Sequence, residues 1–354
     1  MADIVRQITP GRWRTPDGGV AAPAWLSTLL ILLVALALGA VLIVLVGANP
    51  VQAYGALVSS AFGSVNGFAE TMVKACPLLL AGLGVTVAFR ARFWNIGAEG
   101  QIYAGGIMAA VAGIYITGLP AVVHLPLTVL AGALGGALWG LVPGYLKARL
   151  KVNEVITTLM LNYIIILLAG YLIHGPMRDR ASGITISPQL LQTAWLPTVI
   201  PRTRFHAGIL LALALAVVVY WLLERTVLGF QIRTVGENER AARVAGIRVG
   251  RTIILTMIVS GALAGLAGVA EVAGLQHRLV DEFSPGYGFL AVAVALLGNL
   301  HPIGVVFASV LFAALLNGAD AMQRAASVPV PVIFVIEGLV IVLVSARFFR
   351  QRSG

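Results

Sequence analysis

The chain has 354 residues, 59% hydrophobic and only 11% charged, against roughly 25% charged in an ordinary soluble domain. A soluble chain of this length would need a polar shell around its core, so the composition excludes a soluble globular enzyme and makes the lipid bilayer the solvent. The net charge of +10 does not point to nucleic acid, because the basic residues sit in short clusters between apolar runs, as topology signals do.

Arg6, Arg12 and Arg14 lie in an amino-terminal segment, residues 1–25, read as cytoplasmic. An uncharged stretch from Leu26 to Val46 follows, longer than a signal-peptide apolar region, and it reads as an uncleaved first span. A spanning helix needs about 20 apolar residues. Candidates fall at 26–46, 71–89, 98–117, 122–146, 155–173, 207–223, 252–273, 287–299, 303–319 and 330–346, the eighth too short to cross alone. The expected fold is therefore an all-α integral membrane protein of about ten transmembrane helices, one domain over 26–346 with a tail at 347–354.

Arginine and lysine clusters at 6–14, 90–92, 147–151, 225–251 and 347–352 alternate with connections poorer in positive charge, which places both termini in the cytoplasm. Arg178, Arg180, Arg202, Arg204, Arg278 and Arg324 are the exceptions, on the outer side; Arg90 and Arg92 read as inside anchors. Among 40 glycines, Gly-Ala-Leu-Gly-Gly-Ala at 132–137 forms a face that lets helices approach closely. The polar stretch 224–251 contains a short charged helix at 237–245, stopped at Gly246. Leu80-Ala81-Gly82-Leu83 leads to Asn95-Ile96-Gly97, and Leu263-Ala264-Gly265-Leu266 leads to Ser284-Pro285-Gly286. Together they suggest two inverted-topology repeats with short or broken helices near the midplane.

No Gly-x-x-x-x-Gly-Lys-Ser/Thr phosphate loop is present, so the chain is not its own ATPase of that class. The lone Cys76 offers neither a disulfide nor a thiolate metal site, and the five histidines are dispersed without metal-ligand spacing. Asn95, Glu99 and Gln101 lie in a polar, glycine-rich junction, with Asn95 and Glu99 on one face if it is helical. They suit contacts to solute hydroxyls on the substrate path, or a helix junction with Asn95 as N-cap and Glu99 in the first turn. Asn153 precedes a stripe of Glu154, Thr158 and Asn162 that should face the bundle interior, since polar groups in lipid are costly. These four residues read either as part of the substrate path or as interhelical hydrogen-bonding groups with Glu154 at the cytoplasmic interface. Lys74, Glu271 and Glu337 need partners within the membrane, and Glu70 stands four residues from Lys74, the spacing of a helical ion pair.

The segments Phe93-Trp94-Asn95-Ile96-Gly97-Ala98-Glu99-Gly100-Gln101, Asn153 to Tyr163, Gly236-Glu237-Asn238-Glu239-Arg240-Ala241-Ala242 and Gly286 to Asn299 together resemble permease subunits of ATP-binding-cassette importers for nucleosides and simple sugars. These belong to the ribose and branched-chain amino-acid permease group. The resemblance, from about residue 70 onward, implies paired membrane subunits, here expected as a heterodimer with a second permease. It also implies a cytoplasmic ABC ATPase that binds ATP, an extracytoplasmic solute-binding protein, and no cofactor on this chain. It makes Gly236 to Ile247 a coupling helix, with Glu237, Asn238 and Arg240 exposed and Ala241, Ala242 and Gly246 in the same element. The rival readings are an ion-coupled secondary transporter, motivated by Glu337, and an intramembrane enzyme, for which the sequence offers no nucleophile with a base.

Overall fold

The computed structural model describes residues 24–329, 331–336, 338–339 and 341–343. The segments 1–23 and 344–354, with Glu337, lie outside the described residues, so the readings of both termini and of that acid find no structural counterpart here. Twelve helices are labelled in chain order: α1 (Ala24–Leu45), α2 (Pro50–Phe62), α3 (Val65–Arg90), α4 (Ala98–Tyr115), α5 (Ala121–Tyr145), α6 (Glu154–His174), α7 (Gly208–Arg225), α8 (Val227–Glu237), α9 (Glu239–Val244), α10 (Val249–Val269), α11 (Tyr287–Leu297) and α12 (Pro302–Ala326). π-helical turns extend α5 through Leu146–Leu150 and α10 through Ala270–Gln276. Residues 331–336 continue helically. Among the described residues the only β pairing is two isolated bridges.

Among the described residues six helices are long and apolar enough to cross a membrane: α3, α5, α6, α7, α10 and α12, counting the π turns. α11 has 11 residues, the short helix that the sequence anticipates. α2 is absent from the sequence reading. Its 13 residues are too few to register as a span, but Asn49 caps it by accepting from the Val51 N–H at 2.9 Å, and Pro50 occupies the first turn. Broad apolar surface remains outside, including Leu130, Leu134 and Leu138 on α5, Ile156, Ile164 and Leu167 on α6 and Val217 and Trp221 on α7. That much apolar surface suits lipid and not water.

α3 is the axis. It is buried along nearly its whole length and packs on α7, α10, α11 and α12. Beside it runs a seam of α4, α5 and α10 in which small residues bring backbones together. A methyl on Gly136 would overlap the Gly261 carbonyl, and one on Gly265 would overlap the Gly132 carbonyl. The face at 132–137 therefore does what its composition predicts. Close approach replaces the hydrophobic drive that lipid cannot supply between helices.

Candidate functional site

The chain leaves α3 at Arg90 and reaches α4 through residues 91–97, with Arg92 in the left-handed region (φ 54°) and Phe89 edge-on to Trp94 at 4.7 Å. Asn95 lies fully buried in this connection. Its Nδ2 donates to Gln101 Oε1 at 3.1 Å and to Ser260 Oγ on α10 at 2.9 Å. Its Oδ1 accepts from the Gly97 N–H at 3.0 Å. Residues 93–97 are not helical, so Asn95 and Glu99 do not share a helical face, and the N-cap position belongs to Gly97. Asn162 on α6 supplies what a local cap would have given: its Oδ1 accepts from the Gly100 N–H at 2.8 Å, and its Nδ2 donates to the Ile96 carbonyl at 2.9 Å. Unpaired helix-end N–H groups must find acceptors. Here one comes from another helix.

Glu99 stands in the first turn of α4, and its Oε2 accepts from the Gly288 N–H in the first turn of α11 at 2.6 Å. The Ser284 hydroxyl and the Gly286 backbone border the same carboxylate. Gly288 lies so close that a methyl there would overlap the Glu99 backbone. Two helix N-termini, each with a partial positive charge, thus converge on one carboxylate. Tyr103 and Phe283 pack beside it with ring centroids 4.5 Å apart, against Gly106. Asn95, Glu99, Gln101, Thr158 and Asn162 are all at most 2% exposed. The cluster is closed in this conformation, and a solute would reach it only by exchanging into its hydrogen bonds.

The α6 stripe faces inward as its polarity requires. Glu154 accepts from Lys147 Nζ at 2.6 Å, and the Thr158 hydroxyl donates to the Glu154 carbonyl at 2.6 Å. Asn153 is instead exposed and caps α6, its Oδ1 accepting from the Val155 N–H at 2.9 Å. Ser260, Ser284 and Gly288 complete the cluster. Nothing in the sequence singles out Ser260, whereas Ser284 stands in the Ser284-Pro285-Gly286 segment of the repeat and Gly288 in the Gly286 to Asn299 stretch that carries the family resemblance.

At the opposite end of α3 the expected Glu70–Lys74 pair does not form. Glu70 instead takes a two-point contact from Arg204, 2.8 Å at Nε, which raises the Arg204 pKa, and Lys74 Nζ donates to the Leu316 carbonyl at 3.0 Å. A fork of two parallel bonds outcompetes a single ammonium contact at helical spacing. Glu271 is buried in the π turn, within electrostatic reach of both cations. His206 nestles against Gly208 and Gly274; burial, and secondarily the charge of His277, pushes its pKa down to about 4. The connection between α6 and α7 is stitched down by backbone bonds, including Leu191 N–H to Gly113 O at 2.9 Å and Leu196 N–H to Ala273 O at 3.0 Å. A concavity of about 670 Å³ at its start, lined by Tyr171, His174, Gly175, Pro176, Arg178 and Arg180, is separate from the polar cluster.

The segment after α7 is an elbow. The single helix expected at 237–245 is broken at Asn238, whose extended backbone ends α8 and whose Oδ1 accepts from the Arg240 N–H at 2.9 Å to start α9. Gly246 (φ 80°) ends α9 in a left-handed turn, with the Ile247 N–H donating to the Ala242 carbonyl at 3.0 Å. Glu237, Asn238, Arg240, Ala241 and Gly246 point outward, and Val244 is 91% exposed. Gly236 and Ala242 are buried and pack inward. Among the described residues no group of three histidine, cysteine or carboxylate side chains could hold a metal.

Residues 67–345 match the family model described as branched-chain amino acid transport system / permease component. The chain is 38% identical over 343 residues to the glucose ABC transporter permease protein TsgB13 of Haloferax volcanii, covering 93% of this chain and 90% of that one. It is 36% identical over 323 residues to the guanosine ABC transporter permease protein NupP of Bacillus subtilis, covering 90% and 92%. A second guanosine permease of that organism, NupQ, is 27% identical over 249 residues, 68% of this chain and 78% of its own. The convergent helix ends and the outward elbow are thus parts of a transport subunit and not a catalytic one, with ATP hydrolysis on a separate subunit. The chain belongs to the branched-chain amino acid transport system permease family and is an ABC transporter permease.

Proposed function

We propose that this permease forms half of the translocation path of an importer for nucleosides or simple sugars. The observation that carries the reading is the closed cluster of Asn95, Glu99, Gln101, Thr158 and Asn162 where α4 and α11 begin. Neutral amides and helix-end N–H groups match hydroxyls and base edges, whereas a phosphorylated solute would call for cations in the path. The relatives named for glucose and guanosine support the same solute class.

In this account the membrane is a bacterial-type inner membrane, crossed ten times with both termini cytoplasmic. The similarity between α3 leading to α4 and α10 leading to α11 reflects two inverted repeats. Each Leu-Ala-Gly-Leu helix feeds a connection and then a helix, and the N-termini of those two helices meet, as discontinuous helices do at a transporter midplane. The elbow 224–251 is cytoplasmic and docks the ATPase through Glu237, Asn238 and Arg240. Solute released by the extracytoplasmic binding protein meets the cluster as two permeases rock. The existence of both NupP and NupQ in one organism supports a partner that is a different permease.

Tagging the chain in its native cell, extracting it in mild detergent and identifying what copurifies tests this reading. An ABC ATPase together with a second, distinct permease is the expected result. A chain recovered alone from several detergents would contradict the assembly and favour an ion-coupled transporter.

A further inference from the structure

The last residue of α3, Arg90, joins three parts of the molecule that are distant in sequence. Its backbone carbonyl lies against Gly236 of the elbow, so close that a methyl on Gly236 would overlap it. Its guanidinium faces Glu224 at the end of α7 at 3.7 Å, and Glu224 also pairs with Arg233 of α8 at 3.3 Å. Its Nε donates to the carbonyl of Leu300, just beyond the C-terminus of α11, at 2.8 Å.

The Leu300 contact is made to an unusual backbone. Asn299 and Leu300 both adopt the left-handed region (φ 54° and 53°), two consecutive side-chain-bearing residues where glycine is the usual occupant. Such a turn persists only where surrounding bonds hold it. The Leu300 N–H closes back onto the Ala295 carbonyl at 2.9 Å, and Arg90 takes the Leu300 carbonyl.

These contacts close a ring. From Arg90 the chain runs five residues to Asn95 and on to Glu99; Glu99 holds Gly288 at the start of α11; α11 ends at the turn that Arg90 grips. The elbow touches this ring at Gly236 against the Arg90 carbonyl and, through Arg233 and Glu224, at the Arg90 guanidinium.

We infer that Arg90 is the positioning residue that carries displacement of the elbow to the two helix N-termini gathered on Glu99. The inference rests on the reading of 224–251 as the ATPase-docking segment. Motion of α8 moves Arg90, and Arg90 moves both the 91–97 connection and the C-terminal turn of α11. The Glu99–Gly288 junction is thereby loaded from both sides. Coupling of this kind needs contiguous packed groups with two arrangements, and the ring supplies the contiguity.

The test uses the complete importer in proteoliposomes, comparing solute moved per ATP hydrolysed in the wild type, Arg90→Gln, Arg90→Lys and Glu224→Gln. Arg90→Gln should retain the ATPase subunit and hydrolyse ATP while the transport ratio falls on the order of tenfold. Glu224→Gln should fall less, because the bond to Leu300 survives. Arg90→Lys should recover part of the ratio, since an ammonium serves Leu300 or Glu224 but lacks the fork that serves both. An unchanged ratio in Arg90→Gln, or uptake and hydrolysis falling in proportion, would overturn the inference. If Arg90→Gln does not assemble, an unchanged ratio in the isosteric Glu224→Gln overturns it instead. Failure of the ATPase to bind the wild-type chain would strike the docking reading, a separate result.

Discussion

The start of α4 and the elbow after α7 are both rich in polar side chains, yet they treat them in opposite ways. Around α4 the amides and the carboxylate are sealed in and bonded to one another or to backbone. At the elbow, Asn238 spends one oxygen on capping α9, and the charges of Glu237 and Arg240 face outward. A buried polar group without a partner costs free energy, so polarity inside the bundle is kept only where it is satisfied. Polarity at the elbow carries no such constraint and is available to another protein. The contrast separates a sealed junction, proposed as part of the solute path, from an exposed surface, proposed as the ATPase contact.

The largest effect should come from forcing the junction apart. Gly288→Ala places a methyl on the α4 backbone, and overpacking of this kind costs about 1–3 kcal/mol, sometimes more. A marked fall in the thermal midpoint in detergent is expected, and a wild-type midpoint would show that α4 and α11 are not in backbone contact. Next comes Glu99→Ala, which orphans the Gly288 N–H at a cost of about 1–3 kcal/mol. Uptake should be lost while the ATPase still copurifies. Normal uptake would remove Glu99 from the path, and lost association would make the cluster a folding element alone.

The other side of the comparison is probed by reversing Glu237 and Arg240 together, as Glu237→Arg with Arg240→Glu. Both are exposed, so stability should stay within about 0.5 kcal/mol, while affinity for the ATPase should drop on the order of tenfold. Unchanged binding would move the docking contact elsewhere. The smallest effect concerns His206, at the end of the bundle remote from the elbow. Burial lowers its pKa from 6.5 to about 4, so the unfolded chain takes up the proton first as the solution is acidified. Its stabilising contribution is complete above pH 6.5, declines as the pH falls toward 4 and levels off below. His206→Gln should flatten that part of a thermal-shift series against pH, and a slope of the same size in the variant would assign it to His277 or another group.

Much of the membrane architecture was legible because long apolar runs and glycine spacing act locally. The small-residue face at 132–137 follows from composition alone, although its partners Gly261 and Gly265 on α10 are seen only in the structure. Contacts decided by distant partners were not legible. Asn95 has the chemistry of an N-cap, but Asn162, 62 residues beyond Gly100, satisfies the helix end. The Glu70–Lys74 spacing is right for a pair, but Arg204 arrives from another connection with better geometry. The break at Asn238 lies inside a run without proline or glycine, where an asparagine reads as an ordinary surface residue until its cap is seen. The stripe of Glu154, Thr158 and Asn162 was legible because lipid penalises every other orientation.

Uptake into vesicles containing this chain, its partner permease, the ATPase and the binding protein tests the account most directly, with a labelled nucleoside and a labelled monosaccharide offered separately. Accumulation of one of them that requires both ATP and the binding protein and that disappears in Glu99→Ala is the expected result. Accumulation driven by an ion gradient in vesicles holding this chain alone, with no ATP present, would contradict it.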